Sequence, residues 1–183
     1  MKTLYKWTVK DYHHMIESGL LVDKSVELLE GNIVVMSPEG IPHSYTCQSV
    51  SDYLRELFKG KAYVRDAHPI TLDNSEPEPD IAIVKLPRTT YAQHHPYPED
   101  IYWLVEISNK TLTKDLEEKS FTYSRNNILE YWVIDIVNHK VIVSTNPHNK
   151  QYQHKQEFTT GIIKTLAFPN ISIKVNQLLL FKS

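Results

Sequence analysis

Glu106 stands near the end of an aromatic and aliphatic run, "IYWLVEIS" (residues 101–108). A carboxylate on a strand built for the core is costly unless it is paired, hydrogen-bonded or bound to a metal. A second acid, Asp80, opens the apolar run "DIAIV" directly after "EPEP", where Pro77 and Pro79 restrict the backbone and fix its position. Two carboxylates on neighbouring strands make a hard, oxygen-rich site suited to Mg2+ or Mn2+. An ion held there would polarise a phosphate and lower the pKa of a bound water. Lys119, on the helix predicted next, is the candidate to orient or deprotonate that water and to meet developing negative charge. It is the centre of "D-x-x-x-K-x-x-x-Y", with Asp115 before it and Tyr123 after it.

The same residues have plainer uses. Asp115 and Lys119 form an i,i+4 pair in the favourable order, worth about 0.3–0.5 kcal/mol on a helix surface. Tyr123 suits core packing with a solvated hydroxyl, and His43 suits a helix start. Glu106 and Asp80, each taken alone, suit a half-solvated strand end and a turn. His13-His14 and His94-His95 are adjacent rather than four apart, which argues against a shared zinc site.

Periodicity predicts the elements that must position these groups. "WTVKDYHHMIESG" predicts a helix capped by Thr8, with Asp11 in its first turn and Gly19 at its exit. "VELLEGNIVVMSP" predicts a hairpin turning at Glu30-Gly31-Asn32. Pro38 and Pro42 break the chain before a helix marked by Val50, Tyr53, Leu54, Leu57 and Phe58 and ended by Gly60. "KAYVRDAHPITLD" reads as extended chain, and a strand begins at Asp80. Residues 86–100, rich in Pro, Tyr and His, form a loop and a candidate substrate-contacting element.

Alternation along residues 101–108 puts Tyr102, Leu104, Glu106 and Ser108 on one face, and Trp103, Val105 and Ile107 on the other. The helix that follows has Thr113 as its expected cap. "EYWVIDI" and "KVIVST" form a strand pair turning at residues 137–139, and the tail adds short strands and a closing apolar segment. From His43 to Asp135 the order is helix, strand, strand, strand, helix, strand. That order implies an α/β or α+β fold: a mixed central sheet flanked by helices, with an N-terminal helix and hairpin and additional C-terminal strands.

Composition sets the outer bounds. A chain of 183 residues with 41% hydrophobic and 23% charged content is expected to form one domain over residues 1–183, with its core at 43–136. The single cysteine, Cys47, excludes an internal disulfide and a multi-cysteine zinc site, in keeping with a cytoplasmic setting. No apolar stretch approaches the roughly eighteen residues of a membrane span, and no signal-peptide core is evident. A net charge of −2 gives no overall attraction to nucleic acid, so such a partner would have to be met by a local groove.

Three motifs in order carry a resemblance. "PD" opens one strand, "E-x-S" closes the next long one, and "D-x-x-x-K-x-x-x-Y" lies on the helix after it. With "VELLEGNIVVMSPEGIPH" upstream and "NNILEYWVIDI" downstream, the set resembles the Uma-two family, a bacterial group of the PD-(D/E)xK nuclease superfamily. The resemblance implies a restriction endonuclease-like core and a metal-dependent endonuclease acting on DNA, with a symmetric dimer the simplest way to cut both strands. It matches Asp80 and Glu106 to the metal-binding acids and the Ile107 carbonyl to a further ligand. It departs from the superfamily at Ser108, where a lysine is expected, and this points to Lys119 on the helix instead. Glu27, in "E-L-x-x-G", and His43 match family positions beside the site, as Ser108, Asp115 and Tyr123 do by their place in the motifs. The alternative is a nuclease fold without turnover that binds nucleic acid or a protein partner.

Overall fold

The two most apolar runs become the centre of a sheet. A computed structural model describes residues 3–109 and 111–180. In chain order its elements are α1 (Val9–Glu17), β1 (Val26–Leu29), β2 (Asn32–Val35), α2 (Ile41–Leu57), β3 (Tyr63–Asp66), β4 (Ile81–Val84) and β5 (Ile101–Ser108). After a helical run come β6 (Glu130–Asp135), β7 (Lys140–His148), β8 (Gln151–Phe158), β9 (Ile162–Ile163) and β10 (Ile173–Lys174). The main sheet has six strands in the order β3-β4-β5-β6-β7-β8. Among the described residues only β5 and β6 are parallel neighbours, because the helical run crosses over between them. The expected order from α2 to β6 is therefore the observed one.

Both faces of the sheet are covered, which is why β5 and β6 lack polar alternation. On one face Val50, Leu54 and Phe58 of α2 pack on Ile81, Ile83, Trp103, Val105, Ile107, Trp132 and Ile134. On the other, Leu112, Leu116, Tyr123 and Ile128 pack on Ala82, Leu104, Tyr131 and Val133. Glu106 and Tyr123 sit on this second face, with the helical run that carries Lys119, while His43 comes from α2 on the first. The N-terminal hairpin is a separate two-stranded sheet whose Val26 and Leu28 pack with Tyr12 of α1. Its turn uses positive φ at Glu30 and Gly31, as a two-residue hairpin turn requires. A backbone bond from Glu76 to Leu28 ties it to the chain leading into β4.

Four local expectations are corrected. Helix α2 begins at Ile41 rather than after Pro42, since proline lacks only an N–H that the first turn does not need. Tyr102 packs with Trp103's face rather than with Leu104, because a bulge opposite Ile83/Val84 shifts the register by one residue. Only Tyr63–Asp66 of "KAYVRDAHPITLD" is strand; the chain then turns at Ala67, where φ is positive. The helix after β5 has Thr111, not Thr113, at its cap position, and it is not a uniform α-helix. The predicted loop at 86–100 contains two short 3-10 turns, at Arg88–Ala92 and Pro98–Asp100. The closing apolar segment is described as far as Leu180; Phe181 lies outside the described residues. Among the described residues no helix is long and apolar enough to cross a membrane.

Leu54, fully buried between α2 and the sheet, is the plainest test of this packing. Leu54→Ala should lower stability by about 2–5 kcal/mol in urea unfolding, with the slope unchanged.

Candidate functional site

Asp80 is fixed at the mouth of β4 by its own backbone. Its carbonyl accepts from the Ala67 N–H at 3.0 Å. The β4–β5 register pairs Ile81 with Val105, so one step earlier Asp80 lies opposite Glu106. Directly opposite residues of an antiparallel pair share a face. Asp80 Oδ2 accepts the Ile107 N–H at 2.6 Å and lies 3.1 Å from His43 Nε2 on α2. Four of the predicted residues, Asp80, Glu106, Ile107 and His43, thus meet where β4 begins and β5 ends.

Glu106 is only 2% exposed, so the expectation of a half-solvated strand end does not hold. Its Oε1 accepts from Lys119 Nζ at 2.8 Å and from the Tyr123 hydroxyl at 2.7 Å. Lys119 therefore does not make the surface helix pair with Asp115. Asp115 is buried too, and its carboxylate accepts from the Thr111 hydroxyl at 2.7 Å. Tyr123 is likewise fully buried, its hydroxyl held by Glu106 rather than by solvent.

The helix reaches the strand through a wide turn. Between α3 (Leu112–Lys114) and α4 (Ser120–Arg125), residues Asp115–Lys119 form a π-helical segment, with the Ser120 N–H bonded to the Asp115 carbonyl. That carbonyl also accepts from the Tyr131 hydroxyl at 2.9 Å, which pins the turn to β6. An α-helix drifts by about 40° over each four-residue step, and one wide turn drifts the other way, so two successive steps stay on one face. Asp115, Lys119 and Tyr123 consequently all face the sheet.

Around them lies a cleft of about 180 Å³, lined by Glu27, Glu39, His43, Glu78, Asp80, Glu106, Ile107, Lys114, Asp115 and Lys119. Ser108 is buried and lies outside that lining. Glu27 pairs with Lys114 at 3.1 Å and accepts the Glu78 N–H at 3.3 Å. Glu39, Glu78, Thr111 and Lys114 line the cleft in addition to the residues expected from the sequence. Glu39 had one usable signal, its four-residue spacing to His43; Nδ1 of that histidine lies 3.5 Å from the Glu39 carboxylate. Ligand atoms of Glu39, His43 and Asp80 lie within 4.8 Å of one another, close enough to hold a metal ion.

Burial dominates the electrostatics. It pushes the Glu106 carboxyl well above the usual range; Lys119 opposes the shift, while the charges of Asp80 and Asp115 add to it. Burial disfavours the Lys119 ammonium, but Glu106, Glu27 and Asp80 outweigh it and hold the amine above its ordinary value. At His43 burial is again outweighed, by the hydrogen bond and charge of Asp80, and the imidazole is raised to about 9. The Asp115 carboxyl is raised by burial. A concentration of acids under strain from burial suits a cation, and the donors are mainly carboxylate oxygens, as Mg2+ or Mn2+ prefers. Among the described residues, no hydrogen bond occupies Asp80 Oδ1 or Glu106 Oε2, so each acid keeps an oxygen for such an ion.

The fold is a mixed α/β architecture built on a six-strand central sheet. A solved protein from Anabaena variabilis ATCC 29413, described as "a putative nuclease belonging to DUF820", has the same fold with a TM-score of 0.66. The likeness covers 90% of this chain and 97% of that one at 16% sequence identity. No curated protein matches the sequence. The Uma2 family model, described as "Putative restriction endonuclease", matches residues 9–176, and the chain belongs to that family.

The raised acid has a stability consequence. A carboxyl whose folded value lies above its unfolded one contributes stability below the unfolded value and loses it as pH rises through the folded value. In EDTA the melting temperature should therefore fall between pH 5 and pH 8. Glu106→Gln mimics the neutral acid, so its melting temperature should fall less over the same range.

Proposed function

We propose that this chain is a cytoplasmic, metal-dependent endonuclease that hydrolyses phosphodiester bonds of DNA. The observation that carries the reading is the convergence of Asp80, Glu106 and Lys119 on one cleft, in a chain of the Uma2 family. Asp80, Glu106 and the Ile107 carbonyl would hold Mg2+ or Mn2+. Bound there, such an ion supplies a polarised phosphate oxygen and an acidified water. Extended backbone points a residue's N–H and C=O to the same neighbouring strand, so the Ile107 carbonyl opens toward Asp80, which its N–H already meets.

Lys119 takes the part that Ser108 cannot. Its ammonium lies against Glu106, where it orients the attacking water and meets charge developing on the phosphate. Tyr123 holds the shared Glu106 oxygen from the other side and fixes the carboxylate's rotation. His43 braces Asp80, and Asp115 with Thr111 anchors the start of the wide turn. Glu27 positions Lys114 at the rim. A symmetric dimer would present two such clefts to the two strands of a duplex.

One observation favours a second reading, a nuclease fold that binds without turnover. Lys119 is already committed to Glu106, and the strand offers no second lysine at Ser108. Nicking of supercoiled plasmid in Mg2+ or Mn2+ separates the two. The endonuclease reading expects cleavage by the wild type and a fall of about 10²–10³-fold in Asp80→Ala and in Lys119→Ala. Salt-sensitive binding with no cleavage by the wild type would favour the second reading, and cleavage surviving either substitution would overturn these roles.

A further inference from the structure

Beside the cleft lies a groove of about 480 Å³ whose lining includes Arg65, Arg88, His68 and His95 but no acid. In a chain of net charge −2, a concave surface with only basic ionisable side chains other than tyrosine is a local inversion of charge. Arg65 is 6% exposed, yet no carboxylate pairs with it among the described residues. Among the described residues its guanidinium donates to the Pro69 carbonyl at 3.2 Å, and its Nε has no partner. A buried guanidinium is ordinarily paired, because desolvating the charge is otherwise uncompensated. An unpaired one lining a groove has donors left for an anion that comes from outside.

Two tyrosines set the arginines in place. The Arg88 guanidinium lies 5.5 Å from the Tyr63 ring centre, and that of Arg65 lies 5.6 Å from Tyr91. The two rings stack on each other, 6.2 Å apart and inclined by 20°. This ladder of arginine, tyrosine, tyrosine and arginine sets each cation over a ring, a contact that uses no N–H donor and so leaves donors for phosphate oxygens. Tyr91 is fixed in turn by its hydroxyl, which donates to the Lys85 carbonyl at 3.0 Å.

The groove and the cleft adjoin along the chain and lie against one sheet face. Register pairs Arg65 with Ala82 and Ala82 with Leu104, so Arg65 stands on the same sheet face as Leu104 and Glu106. Ala67 lines the cleft and the next residue, His68, lines the groove. We infer that the groove framed by Arg65, Arg88, Tyr63 and Tyr91 grips the phosphodiester backbone of a nucleic-acid strand on its way into the Asp80–Glu106 cleft. The direction of the strand rests on the nuclease reading; the grip itself does not. Contacts of this kind set position and affinity without reading bases.

Fluorescence anisotropy with labelled single-stranded and duplex oligonucleotides, in EDTA over a series of salt concentrations, tests the grip without cleavage. Arg88→Gln and Arg65→Gln should each weaken binding about tenfold and reduce the salt slope by about one contact each. Arg88 is exposed, so if Arg65→Gln fails to fold, Arg88→Gln carries the test alone. Absent binding by the wild type, or affinity and slope unchanged in the variants, would overturn the inference. Displacement of the oligonucleotide by inorganic phosphate at comparable concentration would also overturn it, in favour of a small-anion site. A wild type that fails to cut DNA but shows the arginine-dependent binding would remove the nuclease reading and leave the groove standing.

Discussion

The buried pair between Glu106 and Lys119 is the constraint around which the rest of the molecule is arranged. Taking two such charges out of water costs several kcal/mol per ion, and their attraction offsets this only with good geometry and further hydrogen bonds. The chain supplies both. Tyr123 donates to the oxygen that Lys119 also contacts, and the open cleft leaves the other Glu106 oxygen to solvent or a ligand. A pair this expensive is weak support for stability, so its presence in the core points to use.

Meeting that constraint shapes two elements at once. Strand β5 must end at the cleft with an acid on the face opposite α2, and the Ile81–Val105 register brings Asp80 alongside it. The following helix must lay a lysine and a tyrosine on one carboxylate oxygen while keeping Asp115 buried. An α-helical ladder of four-residue steps would turn these side chains progressively aside. The π-helical segment, tied to β6 through Tyr131, holds them in line. Such wide turns cost hydrogen-bond regularity and recur at functional sites.

Much of this was legible in the sequence, and the exceptions have physical reasons. The strand order, the hairpin turn at Glu30-Gly31 and the pairing of Asp80 with Glu106 follow from apolar periodicity, turn residues and strand order. Tyr102 was misplaced because a bulge leaves no mark on alternation. The partner of Lys119 was ambiguous because Asp115 stands at the ideal helical spacing, and nothing local announces a wide turn. Glu39 escaped notice inside a Pro-Glu-Gly turn, where an acid has an ordinary use. Arg65 lies in a segment whose sequence reads only as extended chain; that no carboxylate among the described residues pairs with it shows only once the groove is assembled.

The proposed function requires Asp80 and Glu106 to share a cation. Calorimetric titration of Mn2+ into the metal-free protein at pH 8, where the acids are best able to ionise, tests it most directly. The account predicts saturable binding of one or two ions per chain, weakened at least about tenfold in both Asp80→Asn and Glu106→Gln. A wild type that binds no Mn2+, or both variants binding it as tightly as the wild type, would contradict the account.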